Sequence, residues 1–279
     1  MLRILAALPL SFFHVLGAGL GWLVWTLSPR FRRLTQQNLA AAGYSDPALL
    51  KRSAAQAGKG ALELIPVWFR PQAEAALLMR EVVAGDVIER ARAGGKGVIF
   101  VTPHLGCFEI TAQWYTQQVG PMTVLFSPPK KGLMNALVLS GRGKPQLQLA
   151  APDMRGIRAL FRALKRGEAV GILPDQVPGK GEGEWVEFFG RPAYTMTLVQ
   201  RLADATGAII VLVYGERLAA GAGYRGYFEA MPPREPGESA TRHLNRALEA
   251  LIRRCPEQYL WSYNRYKVPA GVAPPESAC

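Results

Sequence analysis

Gly97-Val98-Ile99-Phe100-Val101-Thr102-Pro103-His104-Leu105-Gly106 reads as a short apolar strand that ends at a proline and a histidine. The run is too short for a helix and apolar on both faces, as in a strand buried inside a sheet. Gly94-Gly95 supplies the turn before it, and the residues after Gly106 predict a helix through Gln118, then a second strand over 122–126. Asp153 is placed to cap a helix whose apolar residues Met154, Ile157, Leu160, Phe161 and Leu164 recur at helical spacing until Gly167 stops it. Further strands are expected over 169–173 and 208–214, and an outer one over 224–229. A helix is expected over 195–206, and a last one is marked by Leu244, Leu248, Leu251 and Ile252. Such alternation after Pro29 predicts an α/β fold with a central, mostly parallel sheet flanked by helices. No repeat or long linker divides the chain. Residues 29–267 are therefore expected to form one domain behind an apolar helix over 1–28, with a disordered tail over 268–279.

The chain has 279 residues, 33 of them basic and 21 acidic, for a formal charge of +12. Apolar residues make up 49% and charged ones only 19%, which excludes a disordered or collagen-like chain. A basic, apolar-rich protein points to an anionic partner, either nucleic acid or a membrane surface. No aromatic-basic motif for reading nucleic acid is present, so nucleic acid is not the expected partner. Cys107, Cys255 and Cys279 are scattered, and His14, His104 and His243 are far apart, so neither a disulfide framework nor a metal site is expected. The cysteine usage suits a reducing compartment.

From position 4 to 27 the chain carries no charged residue. As a helix at 1.5 Å per residue that run would reach about 36 Å, enough for ~30 Å of hydrocarbon. Arg3 precedes it and Arg30, Arg32 and Arg33 follow, which places the main domain on the cytoplasmic side. Trp22-Leu23-Val24-Trp25 stands where a cleavage site would need small residues, against a signal peptide. Pro9, His14 and the glycines at 17, 19 and 21 weaken a spanning helix, and leave open one that lies in the interface or packs on its own domain. Gly17 and Gly21 have the spacing of a helix-dimer motif, and equally that of a close helix contact within the chain.

His104 and Glu109 fall just past the C-terminal end of a buried strand, where open α/β sheets place their ligands. Five residues turn an ideal helix through about 140°, so the two meet only if His104 precedes the helix and Glu109 lies in its first turn. Glu109 would then hold one imidazole nitrogen while the other takes a proton, a general base without a protein nucleophile. A helix-capping histidine is the structural alternative. Cys107 is a competing nucleophile, since a helix N-terminus lowers thiol pKa, and a small core-filling residue is its bland reading. No Gly-x-Ser-x-Gly elbow or phosphate-cradling loop occurs.

Asn38-Leu39, His104-Leu-Gly-Cys-Phe-Glu109, Leu173-Pro-Asp-Gln176, Glu187-Phe-Phe-Gly190 and Tyr259-Leu-Trp-Ser-Tyr-Asn-Arg265 occur in this order. The series resembles the late acyltransferases of lipid A biosynthesis, the HtrB-like lauroyl/myristoyl acyltransferases, from the apolar N-terminus almost to Lys267. His-x4-Asp/Glu alone is shared by many glycerolipid acyltransferases, while its combination with Pro-Asp-Gln and Phe-Phe-Gly is far more specific. One departure is that Cys107-Phe108 stands where relatives usually carry Asn-Trp. The resemblance implies a membrane-associated transfer of a fatty acyl group from acyl carrier protein to a hydroxyl of an anionic, Kdo-bearing lipid A precursor at the bacterial inner membrane. No cofactor or metal is required. His104 would be the base and Glu109 its support. Acylation of another glycolipid or a lysophospholipid, and a non-catalytic lipid-binding protein, are the alternatives.

Between 110 and 152 there is no Asp or Glu, while Lys130, Lys131, Arg142 and Lys144 are present. Arg142 matches the family's Gly-Arg position and is expected at a phosphate-sugar or oxyanion site. Arg155, Arg158, Arg162 and Arg166 lie opposite the apolar stripe of their helix, either solvated or facing an acidic carrier or lipid headgroups. Asp175 and Gln176 end a strand and are expected to face the His104 crevice, Asp175 positioning an acceptor hydroxyl or orienting Arg142, or else only capping the 178–181 loop. Phe188 and Phe189 are expected to line an acyl groove, with ordinary core as the alternative for both.

Overall fold

The computed structural model describes residues 2–127 and 132–275. Lys130 and Lys131, and residues 276–279 of the expected tail, lie outside them. The first quarter of the chain is helical rather than alternating: α1 (Leu2–Ala6), α2 (Leu10–Leu27), α3 (Pro29–Ala41), α4 (Pro47–Leu62), α5 (Leu64–Phe69) and α6 (Gln72–Ala76). Pro9 splits the apolar run, because proline lacks the N–H that would continue α1. There follow β1 (Met79–Val83), α7 (Asp86–Ala93), β2 (Val98–Val101), α8 (Phe108–Gln118), β3 (Met122–Leu125), α9 (Gly132–Arg142), β4 (Leu147–Ala150), α10 (Met154–Lys165) and β5 (Ala169–Ile172). Then come β6 (Gly183–Phe188), β7 (Arg191–Met196), α11 (Leu198–Thr206), β8 (Ile209–Arg217), β9 (Tyr224–Ala230) and α12 (Ala240–Arg254).

Seven strands form one sheet in the order β1-β9-β8-β2-β5-β3-β4, with every adjacent pair parallel except β8 with β9. This is the mostly parallel α/β architecture expected. Two edges differ from expectation. β9 is internal, not outer, because β1 pairs beyond it, and β4 closes the other edge. Residues 195–196 belong to β7, not to the following helix, and β7 pairs with β6 in an antiparallel hairpin outside the main sheet.

β2 and β5 are buried along their whole length. Side chains alternate across the sheet. Ile99, Val101, Val170 and Ile172 join a core with Leu160 and Leu164 of α10 and Leu248 of α12. Val98, Phe100, Val211 and Val213 face the other way, toward Ile88 of α7 and Tyr115 of α8. Asp153 caps α10 as read from sequence, accepting from the N–H groups of Arg155 and Gly156.

α2 packs one face on α4. Leu10, Phe13, His14, Gly17 and Gly21 are buried, whereas Val15 and Leu27 are each 72% exposed. A Cβ on Gly17 would come within 2.7 Å of the Gly58 carbonyl oxygen, and one on Gly58 would meet the Gly17 carbonyl, so the helices cross backbone to backbone. The glycine spacing therefore serves a contact within the chain. Beside it His14 pairs with the buried Glu63 at 3.2 Å, and Glu63 takes two bonds from Arg217 and one from Tyr224.

Candidate active site

The register of the sheet builds the site. Val101 of β2 is the partner of Ile172 of β5, and Thr102 extends the ladder by donating to the Ile172 carbonyl. Three residues beyond each strand end stand His104 and Asp175, side by side. The Asp175 carboxylate accepts from the His104 backbone N–H at 2.8 Å and meets its Nδ1 at 2.8 Å. Asp175 is only 2% exposed. Burial works against its ionisation, but His104, with its ring and N–H, and Arg265 outweigh that and hold the carboxyl below its ordinary value. With Nδ1–H donating to Asp175, Nε2 is left as an acceptor, and the Gln176 amide nitrogen stands 3.2 Å from it.

Glu109 does not hold His104, as the spacing suggested it would. It lies in the first turn of α8 as expected, but its carboxylate is taken by Arg142, at the end of α9, and by the Trp68 indole N–H of α5 at 3.0 Å. The Arg142 guanidinium lies over the rings of Trp68 and Phe126 at 5.6 and 4.7 Å. Asp175 bonds to His104 and not to Arg142, so it does not orient Arg142; its place in the fold is against the histidine.

The loop carrying His104 is strapped from the C-terminal segment. Leu260 N–H donates to the His104 carbonyl and Gly106 N–H to the Gln258 carbonyl. Gly106 has φ +58°, and a Cβ there would strike the Gly215 carbonyl, so only glycine lets the loop lie against β8. Asn38 donates to the carbonyls of Trp261 and Tyr263, and Arg265 donates to the Tyr194 carbonyl and Thr195 hydroxyl. The late aromatic motif is thus a scaffold. Cys107 is buried, and burial pushes its thiol well up, which disfavours a nucleophilic thiolate.

A cavity of about 490 Å³ opens at these residues. His104, Phe108, Glu109, Arg142 and Gln176 line it, together with the apolar Phe100, Tyr115, Met122, Leu147 and Val213 of the sheet and α8. Met122 and Ser127 both touch it, a run of about 17 Å at ~3.3 Å per residue. Phe188 and Phe189 do not line it. They are 1% and 4% exposed, packed with Trp261 and Arg253 in the core under α12, because the β6–β7 turn folds them inward. No sequence signal marked Trp68, whose indole N–H holds Glu109.

The family model described as bacterial lipid A biosynthesis acyltransferase matches residues 1–268. The chain is similar to the lipid A biosynthesis lauroyltransferase of Escherichia coli (strain K12), 27% identical over 282 residues, covering 98% of this chain and 91% of the relative. It is also similar to the palmitoleoyltransferase of that organism, 29% identical over 215 residues, 75% of this chain and 68% of the relative. To the myristoyltransferase it is 25% identical over 181 residues, 63% and 55%. A histidine beside an apolar cavity suits what the match along nearly the whole chain shows: this protein belongs to the bacterial lipid A biosynthesis acyltransferases and is an acyltransferase.

Proposed function

We propose that the protein moves a fatty acyl group from acyl carrier protein to a hydroxyl of a lipid A precursor, on the cytoplasmic face of the bacterial inner membrane. The observation that carries this reading is His104, its Nδ1 held by buried Asp175 and its Nε2 facing an apolar cavity long enough for an acyl chain.

The acceptor hydroxyl takes the place of the Gln176 amide at Nε2. His104 removes its proton as the oxygen attacks the thioester carbonyl, and Asp175 supports the resulting imidazolium. The tetrahedral oxyanion collapses, the C–S bond breaks, and the proton on Nε2 passes to the departing thiolate. Arg142, aimed by Glu109 and Trp68, supplies positive charge for the oxyanion or for an acceptor phosphate. Glu109 thus acts through Arg142 and not through the imidazole. Lys144 sits close by, donating to the Trp68 carbonyl. Burial and then the charge of Arg3 lower its pKa, so α1 and the site share one cationic corner suited to an anionic headgroup.

Residues 29–267 form the acyltransferase domain in this reading, and the N-terminal helices anchor it. α2 is 18 residues long with a mean hydropathy of 1.5. One face is committed to α4 and to the His14–Glu63 pair, so we place it in the membrane interface with Val15, Leu16, Leu23 and Leu27 toward lipid. The test is purified protein with acyl-carrier-protein donors and lipid A precursor, other glycolipids or lysophospholipids as acceptors, reading product mass. Acylated lipid A precursor from the wild type and none from His104→Ala supports the reading. Product only from another acceptor replaces it.

A further inference from the structure

α10 carries Arg155, Arg158, Arg162 and Lys165 at spacings of three, four and three residues, within an arc of about 80° at 100° per residue. All four are exposed, and none has an ion-pair partner among the described residues. Arg166 differs, being paired with Glu168. After the cap Asp153 the helix contains no acidic residue. A field of unpaired arginines is a surface awaiting an anionic partner.

The position of the stripe says which one. Around α10, Ile157 lines the cavity, the exposed Met154 and Phe161 come next, and the cations follow. The Lys165 ammonium lies over the Phe161 ring at 5.5 Å. Arg201 of α11, which packs against α10, is exposed and lines the same cavity. α10 packs on β3, β4 and β5, whereas α2, with its bare apolar face, packs on α4 and the turn between β8 and β9. The stripe and the lipid-facing helix therefore sit over opposite halves of the sheet. An apolar pair beside a cationic arc, at the cavity and away from the lipid side, fits a folded acidic partner better than a bilayer.

We infer that this face of α10 is the docking surface for the acyl donor, an acidic carrier protein that seats an acidic helix on Arg155, Arg158 and Arg162 and delivers its thioester past Ile157 to His104. The inference rests on the proposed function, and it adds that the two substrates approach from different sides.

The experiment uses the full chain in detergent with R155E/R158E/R162E, and R155Q/R158Q/R162Q as a milder variant. The same acyl group is offered on carrier protein and on pantetheine, with lipid A precursor as acceptor. The charge reversal is expected to raise KM for the carrier-borne donor at least tenfold, with kcat and the pantetheine rate within twofold of wild type. The neutral variant should fall between. Added salt should raise the wild-type KM, lower that of the reversed variant, whose glutamates repel the acidic carrier, and leave that of the neutral variant nearly unchanged. Binding to phosphatidylglycerol vesicles and the melting temperature should not move. An unchanged carrier KM, an equal loss with both donors, or lost vesicle binding without a change in KM would each overturn the docking surface while leaving the proposed function standing. A wild type that takes acyl groups from pantetheine but not from the carrier would overturn both the donor and its docking surface.

Discussion

The Asp175 carboxylate grips His104 twice, at the backbone N–H and at ring Nδ1, both at 2.8 Å, from 71 residues further along the chain. Two contacts from one buried group fix both where the imidazole sits and which nitrogen is free. Asp175→Asn keeps the shape but can present its amide to Nδ1, favouring the wrong tautomer. The expected loss is about 10²–10⁴ in kcat with KM for both substrates nearly unchanged. Steady-state kinetics that show kcat within threefold of wild type would remove Asp175 from the mechanism.

Glu109 and Arg142 act as one unit. Glu109→Gln and Arg142→Ala should each lower kcat/KM, and the double variant should be little worse than either. A double-mutant cycle is expected to give a coupling of about 1–3 kcal/mol. Additive losses would mean that Glu109 acts elsewhere.

Gly171 lies on the cavity wall, where a Cβ would contact Val124 at 3.3 Å. Gly171→Val narrows the passage beside it and should shift donor preference to shorter acyl chains. At ~0.8 kcal/mol per buried methylene, each excluded methylene changes relative kcat/KM about fourfold. Competition between carrier-borne acyl chains of different length, read by product mass, measures it.

The α2–α4 crossing has a paired test. Gly58→Ala pushes a methyl into the Gly17 backbone and should destabilise by about 1–3 kcal/mol. Gly19→Ala, with open space around its Cβ position, should be neutral or stabilising by up to ~1 kcal/mol. Thermal unfolding in detergent separates them.

Burial raises the pKa of Glu63, but Arg217 and His14 outweigh it and lower the carboxyl from 4.5 to about 2. A carboxylate depressed in the folded state adds stability that is fully present above pH 4.5 and is lost as pH falls toward 2. At 1.36 kcal/mol per unit this amounts to roughly 3 kcal/mol. Glu63→Gln should flatten the fall in melting temperature between pH 4.5 and 2. At pH 7 it should destabilise by about 3–5 kcal/mol, because Arg217 is left buried without its counter-ion.

Much of this molecule is legible locally. The strand before His104, the capped α10, the strands at 169 and 209 and the final helix all follow from periodicity and capping. The β6–β7 hairpin is harder to read, since Pro192 and the polar residues of 191–196 give no alternating stripe. The edge strands β1 and β4 are short and owe their conformation to their neighbours. Phe188 and Phe189 read equally as groove or core, and only the fold of the hairpin chooses core.

The sequence by itself determined that an α/β sheet would present a histidine at a strand end, behind an apolar N-terminus and within a basic surface. It also confined any His104–Glu109 contact to a loop-and-first-turn arrangement, a matter of helix geometry. Which carboxylate reaches the imidazole was decided only in the tertiary structure. The pairing of Val101 with Ile172 sets Asp175 beside His104, while packing of α5 against both α8 and α9 brings Glu109 to Trp68 and Arg142. Helix and strand propensities act over a few residues, but strand register and helix packing are contacts between distant segments, so no local spacing could encode that exchange of partners.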